Sequence, residues 1–169
     1  MHVKSRLALA GAVAVLGLAL NPTAALAHGG GHTIIKADLV GSSKPEHGGM
    51  PILGVAPGGR DWIVARGEVR VRESGRIDVR LEGLQIPAAD NPTGVTSNPV
   101  PAITATLYCG TTVAGVSTLQ PLSMPDGDAR FRETLALTTS DCDDPTVLIN
   151  PNGAPGTYIA NSVPDEDDD

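Results

Sequence analysis

Apolar and polar positions alternate with a period of two through much of this chain, most clearly in GEVRVRESGRIDVRLEGL, Gly67–Leu84. That period belongs to a β-strand with one buried and one wet face. If Glu73-Ser74-Gly75 is a three-residue turn, Val71 faces Ile77 and Val69 faces Val79. The same register sets Arg70 against Asp78 and Glu68 against Arg80. A two-residue turn would place Val71 opposite Asp78 and mix the faces. Parity therefore predicts the three-residue hairpin, with Gly75 in the left-handed position. Its inner face is aliphatic, and its outer face carries two opposite-charge pairs worth about 0.2–1 kcal/mol each.

The same alternation predicts further strands. HTIIKADLV gives one near residues 33–40, and DWIVAR leads into the hairpin. AITATLYC turns Ile103, Ala105 and Leu107 inward against threonines. TVAGVSTL near 112–119 and ARFRETLAL near 129–137 follow, and TVLI and TYIA close the chain around the turn NPNGAPG. With 20 glycines and 14 prolines, no stretch sustains a helical period. Seven or eight short strands separated by turns predict an all-β domain, a single antiparallel β-sandwich or a partly closed barrel. The long loops QIPAADNPTGVTSNP and GSSKPEHGGMPILGVAPGG are apolar enough to lie over the sheet.

Residues 1–27 have the three parts of a secretory signal. Lys4 and Arg6 are basic, LALAGAVAVLGLAL is apolar, and NPTAALA ends in small residues at Ala25 and Ala27. The apolar run is shorter than the roughly 20 residues of a membrane-spanning helix, so no span is expected after cleavage. The general secretory route is expected because no Arg-Arg pair precedes the run. The β-domain then covers 28–163, and 164–169 form an acidic tail. Cleavage lowers Lys plus Arg from 12 to 10 against 19 Asp plus Glu, a net of −9. Such an acidic balance argues against nucleic acid as a partner. In an exported chain, the two cysteines, Cys109 and Cys142, are expected to form one disulfide.

The segment ARGEVRVRESGRIDVRLEGL resembles the strand-turn-strand that opens chordin-type (CHRD) repeats of bacterial secreted proteins. Gly67, Val69, Val71, Gly75, Ile77, Val79, Leu81, Gly83 and Leu84 carry the likeness, over about twenty residues. The family's downstream histidine pair is missing, since the chain continues QIPAADNPTG. The remainder is similar to exported β-domains of high-GC bacteria. The resemblance implies an extracellular sandwich of the immunoglobulin-like or chordin-like kind, with no catalytic residues.

Candidate chemistry is sparse. Cleavage after Ala27 would free the amine of His28, and an N-terminal amine with its own imidazole chelates Cu(II). His32 follows behind three glycines, and His47 in PEHGGM, with Met50 nearby, is the third candidate ligand. Cleavage after Ala25 would instead put His28 third in the chain, the spacing of a square-planar copper or nickel chelate. The competing reading is a Gly-rich leader without a metal purpose. Asp126, Asp128, Asp141, Asp143 and Asp144 fit turns and lack the twelve-residue calcium-loop pattern. GVSTL lacks the glycine after Ser117 that a nucleophile elbow needs. Trp62 reads as a core anchor. The chain is expected to be a non-catalytic, exported protein of the envelope or extracellular space, without a cofactor. Copper binding through His28, His32 and His47 is the alternative.

Overall fold

The structure, a computed structural model, describes residues 31–139 and 141–164. The signal segment, His28 and residues 165–169 of the acidic tail lie outside the described residues. Eleven strands follow in order: β1 Thr33–Gly41, β2 Ala56–Pro57, β3 Arg66–Arg72, β4 Arg76–Glu82, β5 Ala102–Cys109 and β6 Thr112–Val116, then β7 Gln120–Pro121, β8 Ala129–Thr134, β9 Pro145–Pro151, β10 Thr157–Tyr158 and β11 Ala160–Pro164. A single 3-10 turn, Pro45–His47, is the only helical element among the described residues. No helix there is long and apolar enough to cross a membrane.

One continuous sheet runs β6-β5-β9-β11-β1-β3-β4-β8, with β7 beside the start of β5. All its pairs are antiparallel, and it curls into a half-barrel. This is the partly closed form of the expected all-β fold. Its end strands approach one another through side chains and the segment after β8. Glu133 accepts from the Thr118 N–H and hydroxyl at 2.7 and 2.6 Å, and the Thr138 N–H donates to Ala114 O at 2.9 Å. Leu135 and Leu137 pack against Gly115 between those strands.

The hairpin register follows from parity as expected: Val71 pairs with Ile77, Val69 with Val79, Arg70 with Asp78 and Glu68 with Arg80. Gly75 has φ +80°, and a Cβ there would lie 2.5 Å from Leu135 O. Only glycine serves both the turn and that close approach. The odd-numbered residues of β3 and β4 enter the main core with Ala37, Leu39, Ile103, Leu107, Val147, Ile149 and Trp62. Trp62 thus anchors the core, and its backbone N–H donates to Ser42 O at 2.8 Å.

Three details depart from the simple alternation. On β5, Thr104 and Thr106 are buried as well as Ile103, Ala105 and Leu107. The loop 42–62 folds over the other side of β5 and β9, where Val55, Tyr108, Leu148 and Tyr158 make a second apolar cluster. There the Thr106 hydroxyl donates to Asn150 Oδ1, and Asn150 Nδ2 donates to Thr157 O, both at 2.7 Å. TYIA divides, Tyr158 joining a parallel two-residue pair with β2 before β11 begins. DWIVAR makes one bridge, Ile63 to Gln85, and becomes strand only at Arg66.

Candidate functional site

Since odd positions of the hairpin face the core, its even positions face outward, and all eight of those on β3 and β4 are arginine or acidic. Register extends the pattern across strands. Glu68, Arg80 and Arg130 form one row, and Lys36, Arg70, Asp78 and Arg132 the next. Arg66 with Glu82, then Arg72 and Arg76 beside the turn, complete the face. Seven arginines (66, 70, 72, 76, 80, 130 and 132) therefore share the outer surface of β3, β4 and β8 in a chain of net charge −7. Five of them, Arg70, Arg72, Arg80, Arg130 and Arg132, line a shallow groove of about 530 Å³ together with Glu68, Asp78, Val79 and Phe131.

Two carboxylates serve several of these guanidinium groups. Asp78 pairs with Arg132 and lies 3.5 Å from Arg76 Nε. Glu82 accepts from Arg66 Nη1 at 3.0 Å and from Arg80 Nε at 2.9 Å. The Arg80 hydrogen bond, aided by the Arg80 and Arg66 charges, outweighs desolvation and holds the Glu82 carboxyl below its ordinary range. The Nε atoms of Arg70, Arg72 and Arg76 are buried without a hydrogen-bond partner. Unsatisfied buried donors are uncommon in folded proteins. The arrangement can take up negatively charged oxygen.

A second polar cluster joins the loops at the other end of β1. The turn Pro45–His47 brings His47 Nδ1 onto Asp61 Oδ2, and Lys44 Nζ pairs with Asp90. The Lys44 N–H donates to Asp61 Oδ1 at 2.8 Å, and Arg60 donates to Asp90 O at 2.5 Å. Burial would raise the Asp61 carboxyl, but hydrogen bonds from the Lys44 N–H and the His47 ring bring it below its ordinary value. Ligand atoms of His47, Asp61 and Asp90 lie within 4.8 Å of one another, the one such three-residue group among the described residues.

Of the predicted histidine set, His32 and His47 are described, and they are not brought together. His32 is exposed and precedes β1, its carbonyl accepting from the Glu73 N–H at the hairpin turn. His47 follows β1, so a nine-residue strand, about 30 Å long, separates the two. Met50 is exposed, and its carbonyl accepts from the Tyr158 hydroxyl at 2.8 Å. Asp128 caps the Gly83 N–H at 2.9 Å in a turn. The Ser117 hydroxyl is internal, accepting from the Ala105 N–H at 2.8 Å and donating to Thr118 O at 2.9 Å. Cys109 and Cys142 form the expected disulfide.

The arginine face was only half visible in the sequence, because Arg130 and Arg132 join the hairpin through strand pairing that no local pattern encodes. Asp61 and Asp90 carried no signal at all, being brought to His47 by loop packing. The chain matches no family model, no curated protein and no solved structure.

Proposed function

We propose that this chain is an exported, non-catalytic β-domain of the envelope or extracellular space that binds an anionic ligand through the arginine face. The gathering of seven arginines on one sheet surface of an acidic chain carries this reading. A positive surface within a negative molecule orients an anionic partner toward one side of the domain. The signal-like segment, the disulfide and the chordin-type likeness of the hairpin support an extracellular setting. The purified mature protein is expected to bind polygalacturonate at about 50 mM salt, and to lose about tenfold in affinity by about 300 mM through screening. The polymer should keep its length during incubation. Absence of binding at the lower salt refutes the anion reading, and shortening of the polymer refutes the non-catalytic one.

A second reading, capture of copper or another divalent cation, is favoured by His47 lying with Asp61 and Asp90. An imidazole with two carboxylates suits a first-row metal. Copper titration followed by Trp62 fluorescence, beside the metal cluster in sequence, should then be abolished by His47→Ala and retained in His28→Ala. The reverse result would return the ligand role to the N-terminal segment.

A further inference from the structure

The seven arginines are not equivalent. Arg66 and Arg80 engage Glu82, and Arg132 engages Asp78. Arg70 and Arg72 make no ion pair with a carboxylate among the described residues, although Asp78 lies across from Arg70 in the register. Arg76 lies near Asp78, but at 3.5 Å its Nε makes no hydrogen bond to it. Continuing the register one step past Val71–Ile77 sets Arg72 across from Arg76, with the turn held by the Gly75 N–H on Arg72 O at 2.8 Å. Like charges placed directly across an antiparallel pair repel. A folded hairpin that keeps this arrangement gathers three guanidinium groups, none with a carboxylate hydrogen-bonded to it among the described residues, and so concentrates uncompensated positive charge beside the turn.

We propose that Arg70, Arg72 and Arg76 form an oxyanion subsite that holds one carboxylate or sulfate group of an acidic polysaccharide. It rests on the anion-binding reading above and assigns the part of the face where the charged group is gripped. Guanidinium forks match a planar carboxylate or a sulfate with paired N–H donors, stronger than neutral hydrogen bonds. The rest of the face suits the sugar. Glu68 and Asp78, interleaved with the arginines, offer acceptors to hydroxyl groups, whereas they would repel a continuous phosphate backbone. Nucleic acid is disfavoured further because the groove offers one half-buried ring, Phe131, rather than a row of stacking platforms, and Trp62, Tyr108 and Tyr158 are buried. A lipid surface is disfavoured because the exposed large apolar side chains, among them Val95, Val116 and Leu119, lie outside β3, β4 and β8.

The test compares two double variants of equal charge change by titration with polygalacturonate and with dextran sulfate. Arg70→Gln/Arg72→Gln is expected to weaken binding of at least one polymer by about tenfold or more. Arg66→Gln/Arg132→Gln, which removes arginines already held by carboxylates, is expected to cost less than about threefold. Equal losses in the two variants would overturn the subsite while leaving an anion-binding face. No binding by the wild-type protein would end both ideas. Arg70→Lys/Arg72→Lys keeps charge and fold but not the fork, so full wild-type affinity in that variant also overturns the subsite. Neutral dextran should not bind. Tighter binding of duplex DNA or of phosphatidylglycerol vesicles than of either polysaccharide would overturn the choice of ligand class.

Discussion

At the scale of single residues, glycine and aspartate set the local geometry. Gly41 ends β1 where the chain crosses Trp62 so closely that a Cβ would sit 2.0 Å from Trp62 O. Asp61, beside that tryptophan, ties the 3-10 turn to it through the Lys44 N–H and the His47 ring. Its carboxyl is more acidic when folded than its ordinary value of 3.8. A lowered folded value means that the native state favours the carboxylate. The stability it contributes is present above about pH 4 and is lost as pH falls through the lowered value. Asp61→Asn is therefore expected to lower the urea midpoint at pH 7. The difference from wild type should shrink toward about pH 2.5. A difference that stays constant with pH would show that the carboxylate charge contributes nothing.

At the scale of elements, the strands β5 and β9 are the part of the sheet covered on both sides, and their pairing ends at the disulfide. Cys109 pairs with Pro145 in the register, and the Gly110 N–H donates to Asp143 O at 2.7 Å. The bond therefore staples the acidic connection before β9 to the end of β5. With a separation of 33 residues, cross-linking is worth about 3–4 kcal/mol through the entropy of the unfolded chain. Cys109→Ser/Cys142→Ser should lose that amount in equilibrium unfolding and retain the fold, because the β5–β9 ladder remains. An unchanged midpoint would mean that the unfolded chain is already constrained without the bond. The hairpin illustrates the opposite case, an element whose register is set locally. A one-residue slip of β4 against β3 would turn Ile77 and Val79 to water while Val69 and Val71 stayed inside.

At the scale of the whole molecule, curvature brings the two ends of the sheet together and separates its surfaces by charge. Glu133 links β8 to the stretch after β6, and Leu135 and Leu137 fill the gap beside Gly115. The same curl leaves the arginines of three strands on one outer surface. By itself the sequence determined what depends on near neighbours along the chain: the all-β class, the hairpin register, the left-handed Gly75 and the pairing of the two cysteines. Side-chain alternation and turn chemistry act over a few residues, and two cysteines admit one intramolecular partner each. Burial of Thr104 and Thr106 was not legible, because it depends on segments distant along the chain: Gly153 lies against Thr104, and Asn150 of β9 accepts from the Thr106 hydroxyl. The meeting of His47 with Asp61 and Asp90 was hidden for the same reason, since loop paths answer to packing across the sheet. Strand order, too, is a long-range choice. Only the tertiary structure laid β8 beside β4, and with it placed Arg130 and Arg132 next to the charges of the hairpin.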